Sequence, residues 1–63
     1  MIRSPFILSH PSRPDMRQEF HPCGPTVRIK SWSGGWCHEE RAETVAVARE
    51  TWLRLVRQGW ERF

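Results

Sequence analysis

The sequence has no long apolar run, no asparagine, no tyrosine and only one lysine among its 63 residues. A membrane-spanning helix needs about 20 consecutive apolar residues, and no stretch approaches that length, so we expect no membrane span. The apolar run at residues 6–8 is confined between Pro5 and His10, which is too short for a signal peptide. We therefore expect a cytoplasmic protein with reduced cysteines. The missing residue types, with nine arginines among ten cations, are typical of a GC-rich genome.

The chain is also short of material for a large core. A chain of this size buries only about 60% of its unfolded surface, and its hydrophobic content is 38%. Four Trp and three Phe compensate in part, because each aromatic side chain buries a large area. We predict one small domain over residues 1–63, without a cofactor and without enzymatic activity. The net charge of +3 permits nucleic acid or an acidic protein as partner and selects neither.

Two segments have the pattern of β-strands, residues 4–10 and residues 26–32. In the second, Val27, Ile29 and Ser31 alternate with polar or charged neighbours, which predicts one packed and one solvated face. Residues 11–25 hold four of the five prolines. Because proline lacks a backbone donor and restricts the residue before it, this segment is predicted to be mainly loop, within which a brief extended piece around residues 17–20 could form.

Residues 39–58 have a helical period, with apolar side chains on about half the circumference. Gly59 can take a left-handed conformation and close the helix, which would fold Trp60 back onto Leu55 in a Schellman motif. The sequence thus predicts an α+β fold of ββα type, a β-hairpin packed by one C-terminal amphipathic helix. The predicted core consists of Val27, Ile29, Val45, Trp52, Leu55, Val56 and Trp60.

Residues 32–41, WSGGWCHEER, raise the question of a metal or phosphate site. His21, Cys23, Cys37 and His38 are a weak candidate set for zinc. Adjacent Cys37 and His38 point different ways in most backbone conformations, and structural zinc sites use wider ligand spacing, so we predict no metal. We interpret Cys23 and Cys37 as two free thiols. The alternative is a Cys23–Cys37 disulfide, which would stabilise the fold by about 3 kcal/mol and would need an oxidising compartment.

The Gly-Gly pair in the same segment predicts a turn. It has neither Walker nor dinucleotide-binding spacing, and Glu39 and Glu40 would repel an anion. We expect Trp32 to end a strand, Gly34 and Gly35 to reverse the chain, and Glu39 to start the helix. A nucleophile and base cannot be paired from the Cys and His positions, so no catalytic residue is assigned.

The wide apolar stripe of the helix exceeds what a two-stranded hairpin can cover, which predicts an unidentified protein partner or a homodimer. The candidate partner-binding residues are Trp32, Trp36, Arg49, Trp52 and Trp60. Arg49 lies within the apolar stripe, where its stem could snorkel outward, its guanidinium could stack on Trp52 or Trp60, or it could meet an acidic group of a partner. Trp36 could be a core plug or an exposed contact.

Nucleic-acid binding is the alternative function. Arg28, Lys30 and Trp32 share the predicted solvated face of the second strand. A tryptophan on such a face could stack on an unpaired base while the cations contact phosphate.

The run Ala48-Arg49-x-x-Trp52-x-x-Leu55-x-x-x-Gly59-Trp60 resembles the ending of a cyanobacterial family of short proteins, domain of unknown function 1651. The similarity covers about the last third of the chain. It implies a cyanobacterial cytoplasmic protein without an assigned activity, and it transfers no catalytic or binding residue. It also implies that the Arg, Trp, Leu and Gly-Trp residues of this run act as one structural unit.

Overall fold

A computed structural model describes residues 6–62 as one antiparallel sheet and one helix. The elements are β1 Phe6–His10, β2 Arg13–Cys23, β3 Thr26–Ser33, β4 Trp36–Thr44, α1 Val45–Arg57 and β5 Glu61–Arg62. The strand order is β4-β3-β2-β1-β5. The predicted α+β class with a C-terminal helix on a sheet is confirmed, and the sheet has five strands where the sequence indicated two. Residues 4 and 5 of the first predicted strand lie outside the described residues.

The predicted loop at residues 11–25 is wrong, since β2 is the longest strand of the sheet. The prolines lie at turns or where β2 lacks a paired neighbour. Pro11 and Pro25 lie in the turns on either side of β2. Pro22 pairs with β3 beyond the last described β1 pair, and Pro14 lies in the irregular stretch where the register with β1 shifts, before the pairing with β3 begins. At such positions a strand has a free side, so the missing N–H costs no ladder hydrogen bond.

The predicted start of the helix at residue 39 is also wrong, because residues 36–44 form β4. Gly34 and Gly35 have φ of 60° and 84°, as a two-residue type I′ hairpin turn requires, so the Gly-Gly pair joins two strands. Glu39 and Glu40 pair with Ser31 and Lys30 of β3. The helix begins only after Thr44, whose hydroxyl accepts the Val47 N–H at 3.2 Å as an N-cap.

The predicted helix end is confirmed in its backbone geometry. Trp60 N–H donates to Leu55 O at 3.0 Å and Gly59 N–H donates to Val56 O at 3.1 Å. Gly59 has φ of 97°. These two hydrogen bonds define a Schellman motif, and they place the Trp60 side chain against the core.

The core lies between α1 and the sheet. Its buried members are Leu8, Phe20, Val27, Ile29, Ala48 and Leu55, with Trp52 and Trp60 packed partly buried against them. Two residues of the predicted core, Val45 and Val56, are both 45% exposed. They lie on the flank of α1, because the buried helix positions Ala48, Thr51 and Leu55 follow the narrow i, i+3, i+7 line that faces the sheet.

Candidate functional site

Helix α1 crosses the sheet diagonally. It begins directly after β4, at one edge of the sheet, and ends beside β1, near the other edge. The Ser12 N–H donates to Nδ1 of His10 at 3.1 Å, so Nε2 of His10 carries the proton and donates to the Gln58 carbonyl at 3.3 Å. A helix is about 10 Å across, whereas five strands span about 19 Å. Two opposite corners of this sheet face are therefore left without helix.

One of these corners is polar. The strand register places Gln18, Ser31, Glu39, Arg41 and Glu43 on the helix-bearing face, because they alternate with or pair across from buried positions. Ser31 Oγ donates to Gln18 Oε1 at 2.8 Å, and Arg41 NH1 donates to Glu39 at 3.0 Å. Arg41 Nε lies 3.4 Å from Glu43 but makes no aligned hydrogen bond. Apart from Trp36, which pairs with Ser33 on the same face, this corner presents polar and charged groups to solvent.

The opposite corner is apolar and forms a shallow groove of about 550 Å³, here called the corner groove. Its lining residues are Phe6, Phe20, Pro22, Val27, Val45, Ala48, Arg49, Trp52 and Arg62. The helix supplies one wall, and β1 with β5 supplies the other. The lining contains two cations and no acidic side chain.

The aromatic rings of the corner groove hold one another in place. The ring of Trp52 lies edge-on to Phe20, with centroids 5.2 Å apart, and edge-on to Phe6 at 6.1 Å. The guanidinium of Arg62 lies 5.4 Å from the centre of the Phe6 ring, within cation–π range. Such contacts fix side-chain rotamers, so the groove is formed before any ligand enters.

Arg49 is exposed on the helix wall of the groove. Among residues 6–62 no carboxylate lies within 4.0 Å of Arg49 or Arg62. The guanidinium of Arg49 also lies over neither Trp52 nor Trp60 in the described part of the chain. Of the three environments suggested for Arg49 from the sequence, stacking on Trp52 or Trp60 is therefore not found among residues 6–62.

The structure brings together only two of the five predicted partner-binding residues, Arg49 and Trp52. Trp60 packs edge-on to His10, with centroids 5.6 Å apart, at the end of α1. Trp36 is 75% exposed beside the Gly-Gly turn, and Trp32 lies on the sheet face opposite the helix. Sequence reasoning missed Phe6, Val45 and Arg62 as groove residues. The sequence signal for Phe6 was an aromatic residue at a strand end, and its ring is 38% exposed in the structure.

The sheet face opposite the helix carries the predicted nucleic-acid residues. Here Arg17 lies 4.9 Å from the Trp32 ring centre and covers one of its faces. The Nε1 of Trp32 is buried without a hydrogen-bond partner among the described residues. Arg28 lies 3.3 Å from Glu40, while Lys30 has no ion pair within residues 6–62.

Glu19 lies at the centre of this opposite face and is only 8% exposed. Arg17 Nε donates to its carboxylate at 2.8 Å and His21 Nε2 donates at 2.9 Å. Burial raises the pKa of Glu19, but the hydrogen bond from His21 and the charge and hydrogen bond of Arg17 outweigh burial. The pKa of Glu19 therefore lies below its ordinary value, and the carboxylate remains ionised at neutral pH.

The candidate zinc ligands fall into two separate pairs. Cys23 pairs with Thr26 at one end of β3, and Cys37 pairs with Trp32 near the other end. Six residues of strand separate these positions by about 20 Å. That distance is too long for a disulfide or for a shared metal ion. Within residues 6–62 no three His, Cys, Asp or Glu side chains converge on a possible metal position.

The described residues thus define a small α+β protein with a preformed apolar groove. Their helix, at 13 residues, is neither long nor apolar enough to cross a bilayer. No protein-family model, curated protein or solved structure matches this chain. The resemblance of its last third to the domain of unknown function 1651 stays a prediction.

Proposed function

We propose that this protein is a non-enzymatic interaction module, which binds another protein through the corner groove. The observation that carries the proposal is the difference between the two corners left free by α1. One corner carries mainly polar and charged side chains that pair with one another, with the exposed Trp36 at its turn end, whereas the other forms a groove of aromatic and aliphatic surface. An apolar patch that a small protein leaves uncovered is typical of a binding surface.

The exposed flank of α1 extends this surface beyond the groove. Val45 and Val56 are each 45% exposed and Leu53 is 47% exposed. At 100° per residue these three side chains and Arg49 lie on the same side of the helix. A partner that enters the corner groove can therefore also cover the helix flank, which provides a contiguous contact.

A cytoplasmic location without catalysis is part of the same proposal. It is supported by two exposed cysteines that lie too far apart to be joined, as is common in reducing compartments. Cys37 Sγ donates to Glu39 O and His38 Nε2 contacts Ser33 O, so neither bonds to the other. This also supports a role in binding, because nucleophilic catalysis needs a thiol and a base within hydrogen-bond reach.

Nucleic-acid binding through Arg28, Lys30 and Trp32 is the second candidate. Lys30, which has no ion pair in the described part of the chain, favours it, because a free cation can contact phosphate. The ion pair of Arg28 with Glu40 and the cover of Arg17 over Trp32 make it the weaker candidate, since both must rearrange for phosphate contact and base stacking. Retention on single-stranded nucleic acid that declines steeply with salt would support it; no retention at low salt would end it.

Two valines of the first helical turn provide a matched test of the groove. Val45 lines the groove and is 45% exposed, whereas Val47 is 41% exposed on the other flank of α1. Val45→Gln should lose the partners that the full chain captures from its native host, because a polar amide then occupies the apolar wall. Val47→Gln should retain them. Equal retention by both variants, or equal loss with native circular dichroism, would refute the groove as the docking surface.

A further inference from the structure

We infer that the occupant of the corner groove is an acidic partner segment, in which an apolar anchor side chain is flanked by carboxylates. This inference rests on the proposed function and adds the chemistry of the partner. It follows from the two arginines on the walls of the groove and from the aromatic and aliphatic side chains on its floor.

The floor of the groove selects an apolar anchor. Trp52, Phe20 and Phe6 present ring edges and faces to one another, and Pro22 and Val27 complete the apolar lining. A leucine or an aromatic side chain of a partner can pack against these rings without burying a polar group. Aromatic-lined pockets of this kind commonly accept one large apolar side chain as the anchor of an interface.

The walls of the groove select acidic neighbours for that anchor. Arg49 lies on the helix wall and Arg62 on the strand wall, and neither has a carboxylate within 4.0 Å in residues 6–62. The guanidinium carbon of Arg62 lies over the Phe6 ring, 5.4 Å from its centre. Cation–π attraction to a ring uses no hydrogen bond of the guanidinium to a carboxylate, so its N–H groups stay available for a carboxylate of a partner.

Charge also distinguishes this occupant from the two nearest alternatives. A second copy of the chain, docked groove to groove, would bring two arginines from each copy together without an acid in either lining. Residues 1–5 of the same chain contain one cation, Arg3, and no acid. Both alternatives leave the groove arginines uncompensated, whereas carboxylates on a partner neutralise them and speed its association.

A displayed library of random dodecapeptides, selected against the full chain, tests the inference. Three baits are compared: the natural chain, the double variant Arg49→Glu/Arg62→Glu, and the control Arg13→Glu at the other end of the sheet. The natural chain and the control should enrich peptides with Leu, Phe or Trp beside Asp or Glu. These peptides should bind the double variant at least about tenfold more weakly.

The outcomes separate the inference from the proposed function. Peptides that lose binding with Val45→Gln but keep their affinity for the double variant would overturn the acidic partner and leave the groove as the docking surface. Peptides indifferent to both changes, or no enrichment, would overturn both. If the double variant does not fold, Arg49→Gln/Arg62→Gln replaces it, with the same direction of change expected.

The alternative occupants have their own measurements. A concentration-dependent dimer in sedimentation that disappears with Val45→Gln would overturn the inference in favour of a second copy. Removal of residues 1–5 tests that segment. A peptide affinity that rises about tenfold or more on removal would overturn the inference in favour of that segment. A monomer whose peptide affinity is unchanged by the removal supports the acidic partner.

Discussion

Leu8 is the side chain on which the stability of the described fold depends most clearly. It is fully buried at 0% exposure, on the face of β1 that packs against α1. Leu8→Ala removes three buried carbon atoms, which corresponds to about 2.4 kcal/mol of transfer free energy. The cavity left behind raises the expected loss to about 3 kcal/mol. A chain of this length has an unfolding free energy of about 3–9 kcal/mol, so the variant should be close to the limit of folding.

The neighbouring Ile7→Ala is the matched control. Ile7 lies on the opposite face of the sheet and is partly exposed, so the same number of removed carbons should cost only about 1 kcal/mol. Urea unfolding followed by circular dichroism gives both values; at a slope of about 1 kcal/mol/M, the Leu8→Ala midpoint should fall by about 3 M. If Ile7→Ala costs more than Leu8→Ala, the register of β1 is displaced by one residue, because such a slip exchanges the two faces.

Two further substitutions test local features of the structure. Gly59→Ala and Gly35→Ala should each lower the thermal stability, because both glycines have positive φ, 97° and 84°, while an added Cβ meets no atom closer than ordinary contact distance. The expected loss is about 1–2 kcal/mol for each variant, and an unchanged melting temperature would argue against the left-handed backbone at that position. Glu19→Gln should remove one contribution to the pH dependence of the free energy of unfolding. Since the folded-state pKa of Glu19 is lowered, its stabilisation is present above the unfolded value of about 4.3 and is lost as the pH falls through the folded value. The stability difference between the natural chain and Glu19→Gln should therefore shrink on acidification below about pH 4; a difference that is constant with pH would contradict the ion pairs of Glu19.

The parts of the fold that were predictable from sequence are governed by local geometry. Gly59 followed by Trp60 indicates the Schellman motif, because both hydrogen bonds of the motif close within the last turn of the helix. The alternation of Val27 and Ile29 indicates a half-buried strand, and both side chains are buried. Each of these signals depends on neighbours within a few residues.

The parts that were missed depend on pairing across the sheet. Strand β2 contains Pro14 and Pro22 at positions with a free side, which only its partners reveal. The helix predicted over residues 39–58 includes residues 39–44 of β4, because their charged side chains fit either period, and the Thr44 cap marks the true start of the helix. The corner groove could not be predicted, since it follows from the diagonal direction of α1 and from Arg62 on a two-residue strand.

The central claim is that partners bind in the corner groove, and the four tryptophans provide one reporter each. Their indole N–H signals can be followed by nuclear magnetic resonance while a selected acidic peptide is added. The account predicts a large shift for Trp52, which lines the groove, and little change for Trp32 and Trp36. A titration that shifts Trp32 or Trp36 and leaves Trp52 unchanged would contradict it.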